Sequence, residues 1–112
     1  MIKKEIGGKE RGFSFNNYAL HLISKKSKQD SEMAFLYATV YGGLSGYDYA
    51  KEQEQEYTFS DVIDWVDEAI NNGVDFSDVI AEMQESKAFK KLTEQADGEK
   101  KTSATQSSGT SV

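Results

Sequence analysis

The segment MAFLYATVYGGLSGY, from Met33 to Tyr47, constrains this chain more than any other stretch. Met33, Leu36, Tyr37, Val40, Gly43, Leu44 and Tyr47 recur at helical spacing and form one apolar stripe, which predicts a core helix. The glycines at positions 42, 43 and 46 work against that helix, since each costs roughly 1 kcal/mol relative to alanine in a helix interior. Their presence predicts a close helix crossing or a bend. Ser31 opens the helix, with Asp30, Ser31 and Glu32 supplying capping groups and negative charge near its N-terminus. Beyond Tyr47, YDYAKEQEQE reads as an outward polar extension of the same helix that breaks near Tyr57.

An apolar stripe has to be buried against another element, and the preceding sequence supplies two. MIKKEIGGKERGFSF reads as a β-hairpin, because Gly7 and Gly8 can supply both positive φ angles of a two-residue type I′ turn. That turn sets Ile2 opposite Phe13 and Ile6 opposite Lys9, with Ile2, Ile6 and Phe13 on one face and Phe15 following in phase. GGKE lacks the spacing of a phosphate loop. FNNYALHLISKK then predicts a short helix capped by Asn16 or Asn17, with Ala19, Leu20 and Ile23 inward. Lys25, Lys26 and Lys28 suit its negative C-terminal end. His21, the single histidine, is most simply a partly exposed helix residue.

The pentapeptide FSDVI occurs twice, at Phe59–Ile63 and at Phe76–Ile80. In the first copy Thr58 is the expected N-cap and Asp61 the third helical residue, with Tyr57 packing on Val62, a capping box with a hydrophobic staple. Asp75, Asp78, Val74 and Val79 are placed to take the same four roles in the second. After the first copy, Phe59, Val62, Ile63, Val66, Ala69 and Ile70 form one stripe with Trp65 at its edge, ended by NNG at Gly73. After the second, Phe76, Val79, Ile80 and Met83 form a stripe whose continuation would bring in Ser86, Lys87 and Lys90. Phe89, Leu92 and Ala96 lie on nearly the opposite side. Either the helix breaks around Glu85 and Ser86, or its far half turns a small apolar stripe away from the core. SKAFKKLTEQA is therefore a candidate interaction segment.

These elements predict a mainly α fold with an N-terminal β-hairpin (α+β) and about four helices around one small core. Residues 1–96 form a single domain, hairpin 1–15 and helical bundle 17–96, followed by a polar tail, 97–112, expected to be disordered. A chain of 112 residues has room for no second core. It contains no cysteine, hence no disulfide framework, no thiolate nucleophile and no sulfur-ligated metal, and it suits a reducing cytoplasm. Its apolar runs are shorter than the roughly 20 residues of a membrane span, and the N-terminus lacks a signal-peptide apolar segment, so a soluble, unexported protein with no membrane partner is expected.

The net charge of −6 is unevenly divided. From Met1 to Lys28 seven Lys/Arg face two Glu, from Gln29 to Glu85 one Lys faces fourteen Asp/Glu, and from Ser86 onward five Lys face three acids. Such division keeps a surface solvated, or it prepares an acidic face for a basic partner or head-to-tail contact between copies, a possible homo-oligomer. No basic cluster carries a nucleic-acid-binding motif, so no nucleic acid is expected. Asp61, Asp64, Asp67, Glu68, Asp75 and Asp78 lack the spacing of a calcium loop and are read as helix surface and caps. With no Ser/His/Asp constellation, no phosphate loop and no His-based metal spacing, the residues favour protein binding over chemistry, with neither metal nor cofactor.

Taken in order, KEIGGKERGFSFNNYAL, FLYATVYGGL, an acidic linker, YTFSDVIDWVDEA and DVIAEMQESKAFKKL resemble the tail assembly chaperones of long-tailed (siphovirus-like) bacteriophages and prophages. The resemblance runs from Lys3 to about Ala96, and IGGK leading into F-x-x-x-A-L, together with T-F-x-D-V-x-D-W-V-D, carries most of it. It implies a non-catalytic cytoplasmic factor that keeps the tape measure protein soluble, helps recruit tail tube subunits during tail assembly, and is not retained in the virion. It also implies a longer product made by programmed ribosomal frameshifting near the end of the gene. A chaperone for a long helical chain needs many weak, partly apolar contacts. Tyr47, Tyr49 and Trp65, with Phe89 and Leu92, are the candidate partner-binding residues. Two alternatives use the same residues otherwise: an acidic regulator that mimics nucleic acid through the carboxylates of residues 48–85, and a structural head–tail or tail-terminator subunit that closes into a ring.

Overall fold

Backbone contact at three glycines organises the molecule, whose described residues form an N-terminal antiparallel hairpin followed by five helices. The computed structural model describes residues 2–27 and 31–94. The expected tail at 97–112, and the roles expected of Lys28, Asp30 and Ala96, lie outside the described residues.

Strands β1 (Lys3–Ile6) and β2 (Lys9–Gly12) pair with Ile6 opposite Lys9, and the Phe13 N–H donates to the Ile2 carbonyl at 3.0 Å. Both turn glycines have positive φ, 65° at Gly7 and 87° at Gly8, as the type I′ turn requires. Ile6, Phe13 and Phe15 are buried and Ile2 packs against them, so the expected apolar face forms. Lys4 and Arg11 share that face and hold their charged ends over aromatic rings, Lys4 over Phe76 and Arg11 over Trp65.

Helix α1 (Asn17–Lys26) is capped by Asn16, whose Oδ1 accepts from the Ala19 N–H at 2.9 Å. Helix α2 (Glu32–Ala50) starts from the Ser31 cap and runs through the centre. A methyl group on Gly42 would lie 2.5 Å from Ile23 Cγ1 and 2.8 Å from the Ala19 carbonyl oxygen. On Gly43 it would lie 2.7 Å from the Phe15 ring, and on Gly46 it would collide with the Ser14 carbonyl oxygen. The glycines thus mark a close crossing within one continuous helix. Two further bonds use the exposed helix backbone: the Ser14 N–H donates to the Gly43 carbonyl at 3.0 Å and Asn16 Nδ2 to the Gly46 carbonyl at 3.1 Å.

Because α1, the hairpin and the later helices all pack on α2, its middle from Ala38 to Gly46 is almost wholly buried, with Tyr41 half-buried. This corrects the single stripe: Met33, one end of it, is 40% exposed. The expected polar arm is corrected as well. Helix α2 stops at Ala50, Glu52 takes φ 56°, and the Gln53 N–H donates back to the Asp48 carbonyl at 2.9 Å. Residues 53–58 then run non-helically back along the molecule, which buries Tyr57; a helix continued through three glutamates would have left it in solvent.

Helix α3 (Phe59–Asn71) begins with the predicted capping box, Thr58 Oγ1 accepting from the Asp61 N–H at 3.2 Å and Asp61 Oδ2 from the Thr58 N–H at 2.9 Å. It ends at Gly73, φ 86°, where the Gly73 and Val74 N–H groups donate to the Ile70 and Ala69 carbonyls at 2.9 Å each, a Schellman closure. Val62, Val66 and Ala69 are buried, whereas Ile70 in the last turn is 39% exposed.

The second FSDVI is not built like the first. Helix α4 (Ser77–Glu85) starts one position later, from Phe76 and without a side-chain cap. Asp75 instead accepts from the Ser77 N–H at 3.0 Å and the Ser77 hydroxyl at 2.8 Å, and these bonds, the hydroxyl's foremost, hold its carboxyl below the usual range. Asp78 turns to the hairpin and pairs with Lys4 at 3.0 Å. Phe76, Val79 and Met83 fill the core. The chain then breaks at Ser86, extended at ψ 149°, and a fifth helix follows over 87–94 with the Phe89 N–H donating to Ser86 Oγ at 3.2 Å. That break resolves the change of apolar face.

Gly46→Ala should gain helix propensity worth about 1 kcal/mol and still lose stability, because the Ser14 carbonyl belongs to the backbone and has little room to yield. A net loss of about 1–2 kcal/mol, read as a melting temperature lower by roughly 5–15 °C, is expected. A variant as stable as the parent would contradict the crossing.

Candidate functional site

The five residues expected to bind a partner occupy three different environments. Tyr47 is half-buried beneath the hairpin, where a methyl group on Gly12 would lie 2.5 Å from its ring. Trp65 is half-buried on the hairpin's turn, where one on Gly7 would lie 2.6 Å from Trp65 Cδ2. Arg11 completes that second junction. Its guanidinium lies 4.4 Å above the Trp65 ring and 5.4 Å from the Tyr57 ring, while its Nε donates to the Ile6 carbonyl at 2.9 Å. Both aromatics are thus committed to holding the sheet on the helices. Phe89 also packs against the core.

Tyr49 and Leu92 remain available, 62% and 57% exposed. Tyr49 stacks on Tyr18 of α1, ring centroids 4.3 Å apart and planes within 8°. Leu92 lies on the fifth helix, and no aromatic contact among the described residues joins any two of the five.

The structure exposes apolar residues that the sequence reading missed. Met33 and Phe35, 40% and 38% exposed, project from the first turns of α2. Between α1, α2 and α3 opens a groove of about 440 Å³ whose walls are Met33, Ala34 and Tyr37 on one side and Phe59 and Ile63 on the other. Lys25, Lys26 and Ser31 form its rim. Its origin is a length mismatch: at 1.5 Å per residue, ten residues of α1 reach about 15 Å and nineteen of α2 about 29 Å. Ala19 and Ile23 sit at Gly42, Lys26 has reached Tyr41, and α1 ends there, so the first turns of α2 project beyond it. Helix lengths were the available sequence signal.

A second, polar cleft of about 200 Å³ lies between the hairpin and the 53–57 segment. Lys3, Lys9, Arg11, Asp48 and Glu56 line it, with Tyr57 at its base. The Tyr57 hydroxyl donates to Asp48 Oδ2 at 2.7 Å. Burial, seconded by that bond, raises its pKa far above the ordinary phenol range, while Ser45 and Arg11 pull weakly the other way. Ser45 Oγ, fully buried, has no hydrogen-bond partner of good geometry, although its dipole reaches Tyr57. A tyrosine so held stays protonated and serves as an internal donor. Among the described residues no three of His, Asp and Glu gather as a cation site, and no helix is long and apolar enough to cross a membrane.

Two outcomes follow from these placements. Phe89→Asp should lower stability by about 1–3 kcal/mol, while Leu92→Asp should leave the melting temperature within about 2 °C of the parent. Equal losses in thermal melts would mean that Leu92 is also packed. Tyr57 keeps its proton in the folded chain above pH 10.0, where an unfolded tyrosine releases it. Its stabilisation is therefore complete below that pH and lost as pH rises further, so the melting temperature should fall more steeply above about pH 10 in the parent than in Tyr57→Phe. Parallel slopes would show that the phenol titrates normally.

Compared with family models, curated proteins and solved structures, the chain matches none.

Proposed function

We propose that this chain is a non-catalytic tail assembly chaperone of a long-tailed bacteriophage or prophage, which binds the tape measure protein and helps recruit tail tube subunits during tail morphogenesis. The observation that carries the reading is the place of the motif residues in the fold. IGGK forms the hairpin turn, and its Gly7 stands on Trp65 of the DWVD motif. The two stretches that carry most of the resemblance, far apart in the chain, are thus one junction. Residues that build a scaffold are what a binding protein of this class would share.

The surface supports the same reading. Tyr18, Met33, Phe35, Tyr49 and Leu92 are each more than a third exposed and spread over three helices. Dispersed apolar contacts of that kind suit a partner that is long, helical and held weakly at many points. The chaperone would act in the host cytoplasm and leave before the particle is complete.

Co-expression with the tape measure gene of the same cluster tests the proposal. The tape measure protein should move from the insoluble to the soluble fraction when this chain is present, and mass spectrometry of purified particles should find no copy of it. A tape measure protein equally soluble with and without the chain would end this reading.

A further inference from the structure

We infer that the groove between α1, α2 and α3 is a docking site for an amphipathic helix whose apolar face is flanked by aspartate and glutamate. The inference rests on the reading above that the chain holds an exposed helical segment of a partner, and it names the surface and the chemistry of the segment.

The walls supply the apolar half of the argument. Met33 and Tyr37 are one turn apart on α2, Phe59 and Ile63 one turn apart on α3, and the space between them, about 440 Å³, is open to solvent. A helix laid in such a groove inserts side chains at positions i, i+3, i+4 and i+7. Met33, 40% exposed and unbranched, can repack around anchors of different shape. Tyr37 keeps its hydroxyl at the outer edge, where it donates to Asp67; that bond, more than partial burial, raises its pKa.

The rim supplies the charge. In a chain of net charge −6, the groove's described lining carries Lys25 and Lys26 and no carboxylate, and Asp67, which meets the Tyr37 hydroxyl at the outer edge, is engaged in that hydrogen bond. The Lys26 ammonium lies 5.3 Å from the centroid of the Phe59 ring and 6.0 Å from that of Tyr41, held over the wall. A helix arriving with acids beside its apolar face meets these two cations, whereas a basic one is repelled. The chain's own C-terminal sequence fits poorly, since after Leu92 it has no large apolar residue before Val112 and it carries Lys100 and Lys101.

Two fluorescein-labelled amphipathic peptides, long enough to be helical and identical on the apolar face, provide the test when one is flanked by Glu and the other by Lys. Fluorescence anisotropy with the full chain should give a Kd for the acidic peptide at least about tenfold lower than for the basic one. Met33→Asp should abolish that binding and Lys25→Glu should remove the preference, both with melting temperatures close to the parent's. Equal affinities, no binding, or wild-type binding by Met33→Asp would overturn the inference, as would self-association of the parent that Met33→Asp abolishes, which would put a second copy in the groove. The same variants in the co-expression assay separate the two claims. A Met33→Asp chain that loses the peptide and still solubilises the tape measure protein overturns the groove and leaves the chaperone standing. A parent that binds the acidic peptide and never solubilises the tape measure protein does the reverse.

Discussion

The fold depends on the bare backbone of α2 at Gly42, Gly43 and Gly46. Helices that meet through side chains keep their axes 8–10 Å apart, and glycine removes that spacer. Here the space is taken by Ile23, by the edges of Phe13 and Phe15, and by the Ser14 carbonyl. Closeness alone would not fix the direction of approach, but hydrogen bonds do. Ser14 and Asn16 donate to the Gly43 and Gly46 carbonyls while Asn16 also caps α1. One asparagine therefore ties the start of one helix to the middle of another, and the cost of three glycines in helix is offset by contacts that no other residue would permit.

From that crossing the rest of the arrangement follows by reach. The linker at residues 13–15 is held on α2, so the hairpin before it lies beside the later helices. There Gly7 meets Trp65, Gly12 meets Tyr47, and Lys4 meets Asp78. Arg11 is the connector: it bonds the turn carbonyls of Ile6 and Gly7 and stacks on Trp65 and Tyr57 at once. A two-stranded sheet is marginal on its own, and this one is held because the face carrying Lys4, Ile6 and Arg11 lies on the helices, while Lys3, Glu5 and Glu10 on the other face stay exposed.

Elements whose signal is local were legible in the sequence. The Gly-Gly turn set the strand register, Asn16, Ser31 and Thr58 marked three helix starts, and Gly73 marked an end, because each acts through bonds to neighbours a few residues away. Features decided by tertiary competition were not. Asp78 had the spacing of a capping residue, and Lys4 on the hairpin claims it, so the second FSDVI opens without the box of the first. Tyr57 had the look of a helix boundary, and its burial with a bond to Asp48 cuts the preceding helix short. The candidate site fared similarly: Tyr47 and Trp65 are large aromatics beside polar residues, but the glycines that seat them lie in the hairpin, far off in sequence. Of the five candidates, Tyr49 and Leu92 keep most of their surface in solvent.

The groove has a different origin, and it bears on which helices such a surface can take up. Exposed apolar walls invite association, yet here they sit beside Lys25 and Lys26 in a molecule whose middle segment carries fourteen acids and one lysine. Charge alone would draw the acidic faces of other copies to this rim. What those faces lack is an apolar ridge to insert: α3 and α4 spend Val62, Val66, Val79 and Met83 on their own core. Ile70, at the end of α3, is exposed, and Phe59 and Ile63 of the same helix face the groove itself. A ligand needs both properties on one helix face, acids at the edge and large apolar side chains between them, and α3 and α4 do not offer Val62, Val66, Val79 or Met83 for that use. The short reach of α1, which leaves the groove open, and the burial of Val62, Val66, Val79 and Met83, which keeps those side chains from serving as a ridge, are thus two halves of one specificity.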